Sequence, residues 1–294
     1  MQQYLTLLKQ CLDEGTRQKN RTGVDTFMIP GGMMQFNLES GFPILTTKRI
    51  NFTAIVGELC AFIRGSTSSA DFRALGAKIW DQNANENKQW LANPNRKGTD
   101  DLGRIYGCQW RDWSSTRLSG EAGTTERHGI DQLKIVLEKL YKDPTDRRLI
   151  VTAWRPDELD QMALPACHLL WQLIVSQASN RINMCMYMRS CDMFLGVPFN
   201  ISSYAMLLNL IAYATGYRPG TLTMFLADLH IYENHLEQVN EQLERIPRAK
   251  PWACINKELP ATGSALEFLE NISPVDIDLV GYEPYPPIKA TMAV

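Results

Sequence analysis

Cys167 is the residue of this chain whose setting is hardest to account for by packing alone. It lies in the stretch 162–172, MALPACHLLWQ, after the turn-forming Pro165 and the small Ala166, and before His168 and an apolar run that reads as a buried strand. A thiol at the mouth of a strand is a candidate nucleophile. An ordinary thiol has a pKa of about 8.5, so little of it is thiolate at neutral pH, and neighbouring cations are needed to raise that fraction. The chain offers such cations at Arg147-Arg148 and at Arg189. His168 is the nearest base in sequence, but adjacent residues of a strand point to opposite faces, which argues against a Cys167–His168 hydrolase dyad. The plainer alternative is that Cys167 is a small core residue, as free cysteines usually are.

Other residues suggest what such a thiol would act upon. Arg147 and Arg148 open an apolar strand, where both cannot face a core. A pair of guanidinium forks suits a phosphate dianion, with an intersubunit salt bridge as the alternative. Arg21, in the polar turn Asn20-Arg21-Thr22-Gly23, is either a solvated loop arginine or a flexible guanidinium able to close over a phosphate. Arg189 and Ser190 add donors at a strand end, and Asp192 adds an acceptor. Asn200 has an amide that can donate and accept toward a planar heterocycle. His230 and Tyr232 alternate onto one face and could hold a sugar hydroxyl; a satisfied core histidine beside a capping Asp228 is the alternative. Glu58 is the one carboxylate in the otherwise apolar segment 52–63. Buried there, it is either a hydrogen-bonded structural acid or a proton-transfer group, because an unpaired buried carboxylate is costly.

The elements that must position these residues follow from periodicity. Leu5, Leu8, Cys11 and Leu12 predict a helix over 3–14, stopped by Gly15. Two short strands, 26–29 and 33–38, are expected on either side of Pro30-Gly31-Gly32. A buried helix covers 52–63. Residues 64–104 are mostly polar, and the Asn-rich, Pro-bearing part from about 82 to 102 reads as a surface insertion that also contains Trp90. A helix over 128–141 leads to a strand at 149–153, and strands 169–175 and 182–187 pair across the turn 178–180. An apolar helix, 201–214, ends at Gly216, and a strand at 222–227 precedes a polar helix over 233–245. The last four residues are small or apolar, which suggests a docked rather than a free end.

Composition narrows the classes. The 294 residues carry a formal net charge of -2, with 45% apolar and 21% charged residues. No global basic field of the kind that drives nonspecific nucleic-acid binding is present. The chain is long enough for one large domain, and nothing in it resembles a linker. Seven cysteines without a CxxC pair point to free thiols in a reducing cytoplasm. His230 and His235 lie five apart, a spacing that does not place two ligands on one helical face, so no metal is expected. No apolar run approaches the ~20 residues needed to cross a bilayer.

Taken together, ALPACH, the arginine pair, RSCDMFLGVPFN, DLHIY and the apolar C-terminus resemble the thymidylate synthases, folate-dependent enzymes that methylate dUMP. The match runs the length of the chain. The resemblance implies a single α/β domain whose twisted mixed sheet packs against that of a partner subunit in a homodimer. It implies that Cys167 attacks C6 of the uracil, and that 5,10-methylenetetrahydrofolate is the co-substrate supplying carbon and hydride. Arg21, Arg189 and Ser190 would bind the phosphate with Arg147 and Arg148 of the partner subunit. Asn200 would read the uracil, and His230 with Tyr232 would hold the deoxyribose hydroxyl. Glu58 would organise proton transfer, with Tyr106 and His168 in its hydrogen-bond network. Trp80 and Asp192 would contact the folate, and Val294 would close the site.

The chain departs from the commonest family pattern at Ala61, Asn83, Met188 and Leu226-Ala227. Of these, Met188 and Leu226-Ala227 are expected near substrate and folate, where they would alter pocket shape or water access. Two rivals stand beside the synthase reading. A dUMP hydroxymethylase, giving 5-hydroxymethyl-dUMP, would quench the same exocyclic intermediate with water, and Arg155-Pro156 resembles that group. A noncatalytic nucleotide-binding or RNA-binding relative would need none of Cys167, Glu58 and Asn200.

Overall fold

The computed structural model describes residues 1–118 and 125–292, with side chains left aside at 116–118 and 125–127. The chain opens with α1 (Gln2–Glu14), whose buried Tyr4, Leu5, Leu8 and Cys11 mark one apolar stripe. β1 (Thr16–Gln18) pairs with β2 (Thr26–Asn37). The two strands expected on either side of Pro30-Gly31-Gly32 are in fact this one strand. The ladder to its long partner skips Gly31, which takes φ +72°, and resumes at Gly32 opposite Leu226. Tertiary pairing overrides the local turn signal there.

α2 (Phe52–Ile63) is buried along almost its whole length and is capped by the Asn51 side chain. Then come α3 (Ser69–Ala74), α4 (Asp81–Asn85) and α5 (Lys88–Leu91), three short helices in the polar segment. This stretch is anchored from within: Trp90 is buried and its indole N–H donates to the Asp101 carbonyl at 2.6 Å. α6 (Tyr106–Arg111) leads to the hairpin of β3 (Trp113–Leu118) and β4 (Thr125–Ile130). The helix expected from 128 begins later, as α7 (Gln132–Lys142), because Asp131 caps it by accepting from the Lys134 N–H at 2.9 Å. His128 belongs to β4.

β5 (Ile150–Thr152), β6 (His168–Ser176) and β7 (Arg181–Asp192) then form an antiparallel run. β7 extends to Asp192, so Arg189 and Ser190 lie near the end of a strand and Asp192 closes it. α8 (Gly196–Thr215) crosses over to β8 (Arg218–Tyr232), which pairs with β7 in parallel. A parallel pair requires such a crossover. α8 starts one turn before the expected helix, since Pro198 near a helix start forfeits no hydrogen bond, and so Asn200 sits in its first turns. At 20 residues α8 has the length and apolarity of a bilayer span, contrary to the expectation from sequence. It lies in the interior instead, against β7, β8, α2 and α10 (Ala265–Asn271), after which Gly216 at φ +75° ends it. α9 (Leu236–Leu243) is shorter than the expected polar helix, because 233–235 form a 3-10 turn. β9 (Trp252–Ile255) and β10 (Ile277–Val280) make a small separate ladder.

The main sheet has the order β1-β2-β8-β7-β6-β5 and is mixed, as expected. Its helix-covered face holds the core. On its other face Met33, Phe225, Tyr187 and Leu170 stand opposite one another from strand to strand and are all exposed.

α6 meets the end of α2 at Gly107, where a Cβ would lie 2.5 Å from the Phe62 carbonyl oxygen. Gly107→Ala is expected to cost about 1–3 kcal/mol through overpacking, read by chemical denaturation. Unchanged stability would show that α2 and α6 can part without cost.

Candidate functional site

A cavity of about 600 Å³ opens beside the C-terminal ends of the parallel strands β7 and β8. Register sets what reaches it. Ser190 pairs with Asp228 and Asp192 with His230, so two strands deliver their polar ends together.

Cys167, half-buried, immediately precedes β6 and is fixed by its backbone. Its N–H donates to the Tyr106 hydroxyl at 2.7 Å, and its carbonyl accepts from the Arg189 N–H at 2.8 Å. The Arg189 side chain ties the same loop down: Nε donates to the Ala166 carbonyl at 2.8 Å and Nη2 to the Pro165 carbonyl at 3.0 Å. That places Nη2 4.0 Å from Cys167 Sγ, while Nη1 has no partner among the described residues. The arginine therefore positions a thiol, holds positive charge beside it and keeps donors for an anion.

His168 does not pair with the thiol. Its Nδ1 lies 2.6 Å from the Tyr204 hydroxyl, and its ring stacks on Tyr106 at 4.0 Å. Burial pulls its pKa down to about 3, so it is a neutral imidazole. Burial likewise raises Tyr106 and Tyr204 well above the ordinary phenol range.

Glu58 is 7% exposed, and burial pushes its pKa up to about 7. The opposing influence is one hydrogen bond, from Trp80 Nε1 to Oε1 at 2.8 Å. Trp80 is itself packed edge-on against Phe62 and Tyr106. A carboxyl so placed exchanges its proton near neutrality, which is what a proton-transfer group requires.

Across the cavity, His230 Nδ1 meets Asp228 Oδ1 at 2.8 Å, an arrangement that fixes the ring and leaves Nε2 for a ligand. Tyr232 stands perpendicular to it, with ring centroids 5.3 Å apart. The Asn200 amide has no hydrogen-bond partner among the described residues. Asp192 commits Oδ1 to the N–H groups of Phe194 and Leu195, leaving its second oxygen unpartnered among the described residues. Arg21 is carried at the tip of a turn held by the Asn20 side chain, which accepts from Thr22 and donates to Val24. Among the described residues no cluster of three metal-ligating side chains occurs.

Thus Cys167, Glu58, Tyr106, His168, Asp192 and Trp80 line one cavity, and so do Arg21, Arg189, Ser190, Asn200, His230 and Tyr232. Arg147 and Arg148 do not. Both are exposed ahead of β5, with Arg148 paired to Asp146 at 2.8 Å. Val294 lies outside the described residues; the tail before it reaches the site, where Ala290 and Met292 line the cavity and the Thr291 carbonyl accepts from His235 Nε2 at 2.8 Å. Met188 and Leu226 are not in the cavity wall, against expectation. They are opposite one another in β7 and β8, both buried on the core side, and form an apolar pair. Sequence reasoning missed Asp228 as an orienting acid, although its two-residue offset from His230 places both on one strand face. It also passed over Asn83 as a site residue. Asn83 is 8% exposed and lines the cavity, and its side-chain amide makes no hydrogen bond among the described residues.

Infrared titration of the free protein should show a protonated carboxylic acid, absent from Glu58→Gln, that ionises as pH rises through about 7. Trp80→Phe removes the bond favouring the carboxylate and should move that transition upward. An acid already ionised at pH values near an ordinary glutamate would contradict this burial argument.

The family model for thymidylate synthase matches residues 2–294. The thymidylate synthase of Pseudomonas putida is 43% identical over 323 aligned residues, and that of Bordetella parapertussis 41%, each alignment covering both chains in full. The bifunctional dihydrofolate reductase-thymidylate synthase of Leishmania major is 41% identical over 99% of this chain and 55% of its own length. A full-length match of this kind, on a chain whose cavity unites a cation-flanked cysteine with a buried acid, places it in the thymidylate synthase family.

Proposed function

We propose that this enzyme converts dUMP to dTMP, with 5,10-methylenetetrahydrofolate as the source of both carbon and hydride. The observation that carries the residue assignments is the Cys167 sulfur beside Arg189, facing a cavity shared with Glu58 and Asn200. Thiolate addition to C6 of the uracil moves the C5–C6 electron pair toward O4 and makes C5 nucleophilic. After C5 has bonded to the one-carbon unit and lost its proton, that carbon parts from the folate nitrogen as an exocyclic methylene. Hydride from the tetrahydrofolate then reaches it, leaving dihydrofolate, as the sulfur–C6 bond breaks to restore the ring double bond and free the cysteine. Glu58 suits the proton exchanges at O4 and C5, since its pKa of about 7 leaves both forms accessible. Tyr106 and the neutral His168 hold the surrounding hydrogen-bond network without adding charge.

Arg21, Arg189 and Ser190 bind the phosphate, and His230 with Tyr232 receives the sugar hydroxyl. Asn200 matches the N3–H donor and O4 acceptor of uracil, a pattern that cytosine reverses, and unpaired polar groups reject the wrong base. Trp80, Asp192 and the apolar Ile79, Leu195 and Phe199 provide a wall fitted to a flat aromatic co-substrate with polar edges. Val294 closes that side.

Arg147 and Arg148 reach the phosphate of a partner subunit in a homodimer. The exposed cross-strand row of Met33, Phe225, Tyr187 and Leu170 supports this, because an open apolar sheet face of that kind marks an association surface. The free cysteines suit a reducing compartment such as the cytoplasm.

Incubation with 5-fluoro-dUMP and methylenetetrahydrofolate should leave a covalent complex on the Cys167 peptide, since fluorine cannot leave C5 as a cation. Cys167→Ser should form none and lose turnover by more than about 1000-fold. Noncovalent binding alone would mean a nucleotide-binding relative. Mixing Cys167→Ser subunits with subunits carrying Arg147→Ala and Arg148→Ala should restore activity that neither has alone, because one site of each mixed dimer is intact. Failure to complement would place the arginines outside the partner's site.

A further inference from the structure

α4 is five residues long, too short to keep its geometry unaided. Yet it carries Asn83, with Trp80 at its N-cap; both line the cavity, and Trp80 belongs to the wall assigned above to the folate. The opposite face of α4 is gripped from outside. Asp81 and Asn85, four residues apart, share that face. Arg73 of α3 donates from Nη1 to Asp81 Oδ1 at 2.5 Å, and forks onto Asp100 with Nη1 to Oδ1 at 2.9 Å and Nη2 to Oδ2 at 2.7 Å. Asp100 also accepts from Ser69 Oγ and Asn85 Nδ2, each at 2.8 Å, and its own N–H donates to Asn85 Oδ1 at 2.9 Å. Asp100 is held at φ +63°, a left-handed conformation that aspartate and asparagine accept more readily than most residues.

We infer that Arg73, Asp81 and Asp100 form a clamp that positions Trp80 and Asn83 for the co-substrate, which makes Arg73 a positioning residue of the reaction. The route inward is short: the clamp fixes α4, α4 fixes Trp80, and the Trp80 indole reaches Glu58 at 2.8 Å. The clamp also explains why the 82–102 segment bears on the site, since Asn85 and Asp100 belong to it and Arg73 does not. The pairs are partly exposed, with side-chain exposures of 34% for Arg73, 31% for Asp81 and 19% for Asp100, so their contribution is geometric more than energetic. A forked guanidinium supplies that geometry, whereas an ammonium cannot bridge two carboxylates in one plane.

The inference rests on the reading of this wall as the folate side, and the test separates the two. Steady-state kinetics of the full chain are compared for the wild type, Arg73→Gln, Arg73→Lys and Asp100→Asn, the last of which keeps the left-handed backbone. The clamp predicts that Arg73→Gln and Asp100→Asn raise KM for methylenetetrahydrofolate by about tenfold while KM for dUMP stays within about twofold. Arg73→Lys should recover part of the loss. An active wild type whose variants keep the folate KM, or lose both KM values together, overturns the clamp. A wild type that makes no dTMP overturns the underlying reading, and the clamp with it.

Discussion

The structure depends on the parallel pairing of β7 with β8, the one parallel ladder among the described residues. A parallel pair cannot be joined by a tight turn, so the chain must cross over through a helix, and that helix, α8, fills the core above the sheet. Two consequences reach the site. Both strands end at the same edge, bringing Arg189, Ser190 and Asp192 alongside Asp228, His230 and Tyr232. The start of α8 lies at that edge too, which delivers Asn200. A one-residue slip in the register would turn this polar set away from the cavity.

Electrostatics divides the cavity into two halves. Around Cys167 the groups are cationic or backbone-anchored, and Arg189 contributes in both ways through its carbonyl bonds and its nearness to sulfur. Around Glu58 the walls are aromatic and largely buried, so the acid's pKa is pushed up to about 7, and the same burial keeps His168 unprotonated. A nucleophile needs the first environment and a proton exchanger the second. The chain builds them from different elements, the strand ends for one and α2 with α6 for the other.

Much of this was legible in the sequence because the informative residues were local exceptions. Glu58 stood out as a lone carboxylate in an apolar helix, and Cys167 as a thiol after a proline turn. Other features were hidden because tertiary pairing decides them. Pro30-Gly31-Gly32 looks like a turn until β8 runs beside it. Met188 and Leu226 look like separate departures until the register makes them one buried pair. Asn83 was visible only as a difference from a pattern, since a single polar residue in a polar segment has no periodicity to place it. Arg73 and Asp100 lie 27 positions apart, beyond the reach of any local pattern.

The most direct test of the central claim is to incubate the protein anaerobically with dUMP and methylenetetrahydrofolate, identify the nucleotide product by mass and follow dihydrofolate by absorbance. The account predicts dTMP with an equal amount of dihydrofolate, the outcome of hydride delivery to a carbon already joined to C5. Formation of 5-hydroxymethyl-dUMP without dihydrofolate would contradict it, because water rather than hydride would then complete the reaction at Cys167.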